Sequence, residues 1–420
     1  MLVKSVGTGH DRQGGQSGTP FHGARIVALV LVLPAALLAA LSVRDQPGHD
    51  YLAIHAAARL LASGENPYNV GALFRVQQPL KATDPVLYGR IGLIPYYYPP
   101  WLALACVPLT ALSFPVAKVV WVYLSYQALV LAGQGLRELP GLPSQTTIVL
   151  GLLAVPACLA AHMGQTSALV LLLLVVAWRL IERGSDGWAG VALAWLTFKP
   201  QMTVVVVPAV LIWSGRQGRW GVTRGFAAML GVLCLGCALV VPSWPRDMLL
   251  APRLSPLPTT TNPSDGVTWL SVLRTLGLER WPLALGYAAA ALPMAAMALG
   301  AAWNRTRPCS DAIALGVVSA FFVSSHSLAY DFAILLFPMM AFLPGLSVRV
   351  AVRLLIAVML AFNLHFALTQ GGATRLSFVT LFWLPAGLAI FGVAREAGVG
   401  QVRFASSRQG YPPRVCENLR

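Results

Sequence analysis

Charged residues are scarce in this chain. Asp, Glu, Lys and Arg make up 11% of its 420 residues and 57% are hydrophobic, which leaves too little polar surface to cover a soluble globule of that length. An ordinary soluble protein is excluded, and a multi-spanning membrane protein is what the composition describes. Acids are scarcer still, 15 against 30 Lys and Arg. No acid cluster suited to a divalent ion is visible, so chemistry without a metal or a cofactor is expected. The net charge of +15 does not point to nucleic acid. Arg and Lys lie in short patches between apolar runs, with no basic face interleaved with aromatics of the kind that tracks phosphates. Cysteine is sparse too. Of six, Cys106, Cys158, Cys234 and Cys237 fall inside apolar runs and Cys309 and Cys416 beside basic loops or the tail, so no disulfide framework is visible. Cys234 and Cys237 have the spacing of a ligand pair, but no second pair accompanies them and they read as structural.

What the chain has in abundance is apolar runs. Residues 1–24, rich in Gly, Ser and Gln and flanked by Lys4, Arg12 and Arg25, are expected to form a disordered, basic cytoplasmic tail. The run at 26–43 ends in small residues, as a signal-peptide cleavage site does. Its length approaches the ~20 residues that cross a bilayer and more runs follow, so it reads as an uncleaved first span. Residues 44–100 then form a long first external loop. Within it, Leu52, Ile54, Ala57, Leu60 and Leu61 fall at helical spacing, with His55 and Arg59 four apart, which predicts an amphipathic helix over 51–63 lying on the bilayer. Gly64 caps it and Asn66-Pro67-Tyr68 makes a turn. Tyr96-Tyr97-Tyr98-Pro99-Pro100-Trp101 brings the chain back to the interface that Tyr and Trp prefer. That aromatic cluster reads equally as an interface belt or as a stacking platform.

Runs follow at 102–114, 116–136, 148–161, 167–180, 188–198, 202–213, 225–241, 283–303, 312–323, 330–342, 351–368 and 378–393, for about 12 crossings. The run at 102–114 is short enough to be re-entrant. Several others are also short, as where helices break around an internal cavity. The domain reading is one transmembrane unit, residues 25–395, between basic cytoplasmic tails at 1–24 and 396–420.

Under this topology Arg179 and Arg183, Arg216, Arg219 and Arg224, Arg305 and Arg307, Arg349 and Arg353, and the tail from Arg395 all fall on the cytoplasmic side, as the positive-inside rule asks. The opposite side collects Asp50, His162-Met163-Gly164-Gln165, Lys199-Pro200-Gln201, the Pro-rich stretch 242–269, and residues 326–331. Ionisable groups at the ends of membrane helices are costly and tend to mark a substrate path or site. Lys199 reads as a snorkelling lysine or as a site residue; the second is favoured because Lys199-Pro200 interrupts an apolar run where solubility needs no charge. His326 and Asp331, five apart, read as a surface histidine and a helix cap, or as part of the same site. Asp50, about a turn past the first run, is the anchor of the set.

Asp50-Tyr51, Gly64-Glu65-Asn66-Pro67-Tyr68, Tyr98-Pro99-Pro100, Gly164-Gln165, Lys199-Pro200, Asn262-Pro263-Ser264 and His326 through Tyr330-Asp331 together resemble glycosyltransferase family 87, over about residues 45–395. Each motif is common alone; the ordered set carries the likeness. Members are GT-C-type membrane enzymes that take a sugar from a polyprenyl-phosphate carrier, the mycobacterial mannosyl- and arabinofuranosyltransferases of envelope synthesis among them. The resemblance implies an all-α polytopic membrane protein, a GT-C-like bundle in the inner (plasma) membrane with its site facing the periplasm or exterior.

It also implies roles. Transfer of a sugar from a phosphate needs an acceptor hydroxyl made nucleophilic by a base and charge relief on the departing phosphate. Asp50 takes the place of the base. Lys199, His326 and Arg59 are expected at the donor phosphate. Tyr51, Asn66, Tyr98, Gln165, Asn262, Tyr330 and Asp331 are expected at sugar or acceptor, with Asp331 orienting His326. One base and in-line displacement imply inversion, since no second carboxylate is placed as a nucleophile. An apolar groove between helices would hold the prenyl chain. The expected partners are a polyprenyl-phosphate sugar donor, with mannose as the sugar, a glycolipid or glycan acceptor, and the lipid bilayer. Two other classes share this topology. A transporter or flippase of a lipid-linked sugar needs a path open to both sides, whereas the polar set lies on one, and an assembly protein would dock through residues 50–100.

Overall fold

The computed structural model describes residues 48–88, 92–136, 155–254, 266–343, 348–370 and 378–396. The expected span at 26–43, the tail at 1–24, nearly all of the tail at 396–420, and Asn262 lie outside the described residues. Every regular element within them is helical. From a turn at residues 48–50 the chain forms α1 (Tyr51–Ala62), α2 (Val70–Lys81) and the single turn α3 (Pro85–Tyr88). Gly64, at φ 73°, takes the left-handed conformation that ends α1. The Asn69 side chain caps α2 by accepting the Ala72 N–H at 3.0 Å. After α4 (Pro100–Cys106) a 3₁₀ turn, Val107–Ala111, leads to α5 (Phe114–Leu136). At ~1.5–2 Å per residue α4 and that turn together fall well short of the ~30 Å hydrocarbon core, so this run does not cross by length.

Then come α6 (Val155–His162), α7 (Ser167–Glu182), α8 (Asp186–Leu196), α9 (Pro200–Thr203), α10 (Val206–Arg216), α11 (Trp220–Val240), α12 (Trp244–Leu254), α13 (Trp269–Thr275), α14 (Arg280–Trp303) and α15 (Cys309–Val323). A 3₁₀ helix, Ala329–Leu335, runs into α16 (Leu336–Ala341); α17 (Val348–Gln370) follows, and a 3₁₀ turn, Phe378–Phe382, leads into α18 (Trp383–Glu396).

Among the described residues α5, α11 and α14 are long and apolar enough to cross a membrane, and α6 with α7, bent by 116° at their break, make a fourth if they count as one span. The other expected crossings are shorter or broken helices, so a total of about 12 is not established by helix length. The bilayer reading draws support from the surface. Only 17% of the most apolar stretch of α11, and the same share of α14, is buried. Leu235, Leu239, Leu285 and Leu292 stand exposed, an apolar area that suits hydrocarbon better than water.

Close packing uses small residues, as membrane helices require. α8 and α11 cross where a Cβ on Gly225 would fall on the Gly187 carbonyl and one on Gly190 on the Val222 carbonyl. α1 departs from expectation in the same way. Instead of lying on the bilayer it is buried on nearly every face, with Arg59 and Ala62 the exposed positions. Its off-stripe positions are largely alanine (Ala53, Ala56 and Ala58), which lets neighbouring helices close over a face that longer polar side chains would have kept open.

Polarity divides the bundle by its ends. Arg219 pairs with Asp186, Gln217 donates to the Arg305 carbonyl at 2.7 Å, and the Trp213 indole donates to the Arg307 carbonyl at 2.9 Å. The basic junctions after α7, α10 and α14 therefore meet at one end. α7 leads away from them, and its first residue, Ser167, lies ~22 Å from its last. At that far end lie the turn at 163–166, Lys199 and residues 324–331.

Candidate active site

Two turns far apart in sequence are joined back to back. Gly48 donates its N–H to the His162 carbonyl at 2.6 Å and Asp50 donates to the Met163 carbonyl at 2.9 Å. Gly48 and Gly164 both have left-handed backbones, φ 67° and 73°. A Cβ on Gly164 would stand 3.1 Å from the Tyr51 Cβ, 3.2 Å from the Gly48 Cα and 3.3 Å from Trp121. Glycine alone fits there without displacement. Trp121 of α5 clamps the turn, its indole N–H donating to the Gly164 carbonyl at 2.8 Å, with the Tyr51 ring stacked on it at 5.0 Å. This junction carries Asp50 to Gln165.

The Gln165 amide donates to Asp50 Oδ2 at 2.5 Å. His49 Nδ1 lies 2.7 Å from Oδ1, and because a carboxylate only accepts, the imidazole is the donor. Each carboxylate oxygen keeps a further lone pair, and the side chain is 20% exposed, so it can still receive a proton from a bound molecule. The Tyr98 hydroxyl donates to Gln165 Oε1 at 3.2 Å. Burial, and then the Asp50 and Asp331 carboxylates, push the Tyr98 hydroxyl pKa far above its ordinary value, so it stays a donor and the Gln165 amide faces Asp50.

The other half begins two residues on. Ser167 donates to Asp331 Oδ1 at 2.7 Å, and Lys199 donates to Ser167 Oγ at 2.8 Å while pairing with Asp331. Ser327 Oγ and the Leu328 N–H reach Asp331 Oδ2 at 2.9 and 3.1 Å. The ion pair is buried on both sides, and among the described residues two of the three Lys199 protons are used. Asp331 is engaged by this network and by no bond to the His326 ring among the described residues. Tyr330 lies over Lys199, its ring 5.4 Å from Nζ, and within electrostatic reach of Asp50, Asp331 and Tyr98. The two halves therefore lie side by side, joined through Tyr98 and Tyr330.

His326 lies close to the Lys199 and Asp331 charges. The residue is open to solvent, yet burial within the surrounding protein lowers its pKa; Asp331 opposes that shift and Lys199 adds to it. That balance disfavours its charged form.

The remaining expected residues sit elsewhere. Tyr51 is fully buried, with its hydroxyl 3.4 Å from His55 Nδ1. Asn66 accepts the Tyr68 N–H at 2.9 Å and donates to Asp247 Oδ2 at 2.6 Å, tying the turn after α1 to α12. Arg59 is exposed in the last turn of α1, ~13 Å along the helix from Asp50. The structure thus brings together Asp50, Tyr98, Gln165, Lys199, Tyr330 and Asp331, with His326 close by, and leaves Tyr51, Asn66 and Arg59 outside. Sequence reasoning missed His49 and Ser167. Each adjoins or nearly adjoins a residue it selected, and neither has a type that signals a role alone. No group of three His, Cys, Asp or Glu side chains that would hold a metal ion occurs among the described residues.

A carboxylate held by two donors, two neighbouring tyrosines and a buried cation at the end of a membrane bundle suit activation of a hydroxyl beside an anionic leaving group. No curated protein and no solved structure matches the chain. The sequence model of glycosyltransferase family 87 matches residues 96–325, a stretch that holds Tyr98, Gln165, Ser167 and Lys199 and ends just before His326. With more than half of its length matched, the chain belongs to glycosyltransferase family 87.

Proposed function

We propose that this glycosyltransferase moves a sugar, mannose first among those to test, from a polyprenyl-phosphate carrier to a glycolipid or glycan acceptor on the non-cytoplasmic face of the plasma membrane. Asp50 is the general base. The acceptor hydroxyl gives its proton to the carboxylate as its oxygen attacks the anomeric carbon, and the bond to the phosphate breaks with its electron pair leaving on the phosphate oxygen. In-line displacement inverts the anomeric centre.

Tyr98, Gln165 and Tyr330 hydrogen-bond sugar hydroxyls in this reading. Lys199 through its remaining N–H, and the His326 imidazole, are the groups for the phosphate, where negative charge gathers. Tyr51, Asn66 and Arg59 support the surrounding loop in this reading. The observation that carries it is the Asp50 carboxylate, gripped at both oxygens yet partly open, beside Tyr98 and Tyr330. The division of the bundle into a basic end and a site end supports the orientation.

The experiment is incubation of the purified protein with a panel of polyprenyl-phosphate sugars and acceptor lipids, followed by mass spectrometry. Release of polyprenyl phosphate with a new glycoside of inverted configuration is expected. Passage of intact lipid-linked sugar across vesicles without release would support a flippase instead.

A further inference from the structure

Both donors that hold Asp50 are themselves oriented by a tyrosine. On one side Tyr98 sets the Gln165 amide. On the other, His49 stacks on Tyr88, ring centroids 6.0 Å apart and planes at 26°. Tyr88 is in turn anchored: its hydroxyl reaches the Gly48 carbonyl at 3.3 Å, its ring carries Lys118 Nζ at 5.7 Å, and Lys118 is held by Asp84 at 2.9 Å. The imidazole cannot swing away without breaking that stack, and its Nδ1 points at Oδ1. Gln165 occupies Oδ2, so the carboxylate has a donor on each oxygen and its plane is set.

We infer that His49 is a positioning residue for Asp50, a second arm running Lys118–Tyr88–His49 that matches the arm running Tyr98–Gln165. The inference rests on Asp50 being the base. With one arm gone, the carboxylate rotates about its last side-chain bond and presents its free lone pair to the acceptor hydroxyl only part of the time. Proton abstraction slows while binding of donor and acceptor holds. The two arms come from different parts of the chain, α7's leading turn and the loop around α3, so each can be cut without the other.

The amide nitrogen of Asn occupies the place of an imidazole Nδ1, whereas that of Gln occupies the place of Nε2. His49→Ala is expected to lower kcat ~10- to 30-fold with KM for donor and acceptor within about twofold. His49→Asn should recover to within about threefold of wild type, and His49→Gln should stay with Ala. A mere packing role would order these by size instead. Full-length protein labelled with ¹⁵N-histidine gives a readout without turnover: seven histidines, with His49 assigned by its loss in His49→Asn, should show a protonated Nδ1 that shifts in Asp50→Asn. A bare Nδ1, an unchanged kcat in His49→Ala, or a KM effect alone overturns the inference. If Asp50→Asn itself transfers sugar at the wild-type rate, the base assignment fails, and the inference with it. A dead Asp50→Asn beside a fully active His49→Ala overturns the inference alone.

Discussion

Gln165 reaches across 115 positions of sequence to donate its amide to Asp50 at 2.5 Å. The bond exists because the turn that carries Gln165 is fused to the turn that carries Asp50. A hydrogen bond to a charged group contributes ~1.5–3 kcal/mol. Gln165→Glu replaces the donor by a second carboxylate of like charge, so kcat for sugar transfer should fall ~10- to 100-fold in a steady-state assay, with the protein still inserted and folded. Full activity would mean that Asp50 needs no support from this side.

Gly164 tests the junction itself. A left-handed backbone costs a residue with a Cβ ~1–2 kcal/mol, and here the added atom also meets Tyr51, Gly48 and Trp121 at 3.1 to 3.3 Å. Gly164→Ala is expected to lower the unfolding temperature and to reduce activity beyond what the lost stability explains, because the shift moves Gln165 off Asp50. Gly184, also at positive φ but with open space around it, is the control: Gly184→Ala should cost only the backbone term and spare activity.

The Lys199–Asp331 pair is expected to behave as a buried charge pair. Removing one partner leaves the other uncompensated at a cost of ~3–5 kcal/mol, whereas removing both for apolar residues is close to neutral. Thermal unfolding in detergent should therefore show Lys199→Met and Asp331→Leu each strongly destabilised and the double variant largely recovered. If the recovered double variant also transfers sugar normally, Lys199 has no part in binding the donor phosphate.

Acid should loosen the first loop through His55. Burial, with a contribution from Arg59, pushes its pKa down to about 4, while in the unfolded chain it titrates near 6.5. Between those values the unfolded state binds the extra proton, so stability is lost as pH falls from ~6.5 toward ~4 and levels off below, by up to about 3 kcal/mol. His55→Gln, which keeps a polar partner for the Tyr51 hydroxyl, should flatten that slope in unfolding measurements between pH 4 and pH 7.

Much of this arrangement is written in local pattern. The apolar runs, the Arg clusters at one end, and Asp50, Gln165, Lys199 and Asp331 at the other follow from hydropathy and from charges placed where solubility does not need them. Helix lengths were less legible, because a run such as 202–213 hides a break after Thr203 at which α9 stops and α10 starts. The burial of α1 was hidden as well. Alanines suit either a membrane surface or a tight interface, and the element packed most closely on α1, the helix α4, comes only after α2 and α3. His49 and Ser167 escaped notice because their roles consist entirely of contacts with other residues of the site.

The measurement that bears most directly on the account is the transfer rate of purified Asp50→Asn beside wild type, with the same polyprenyl-phosphate sugar and acceptor. Asn keeps the size of the side chain but cannot take the acceptor proton. A general base contributes ~10²- to 10⁴-fold, so a loss of that order is predicted, with unfolding temperature and donor binding unchanged. Transfer at the wild-type rate would contradict the account.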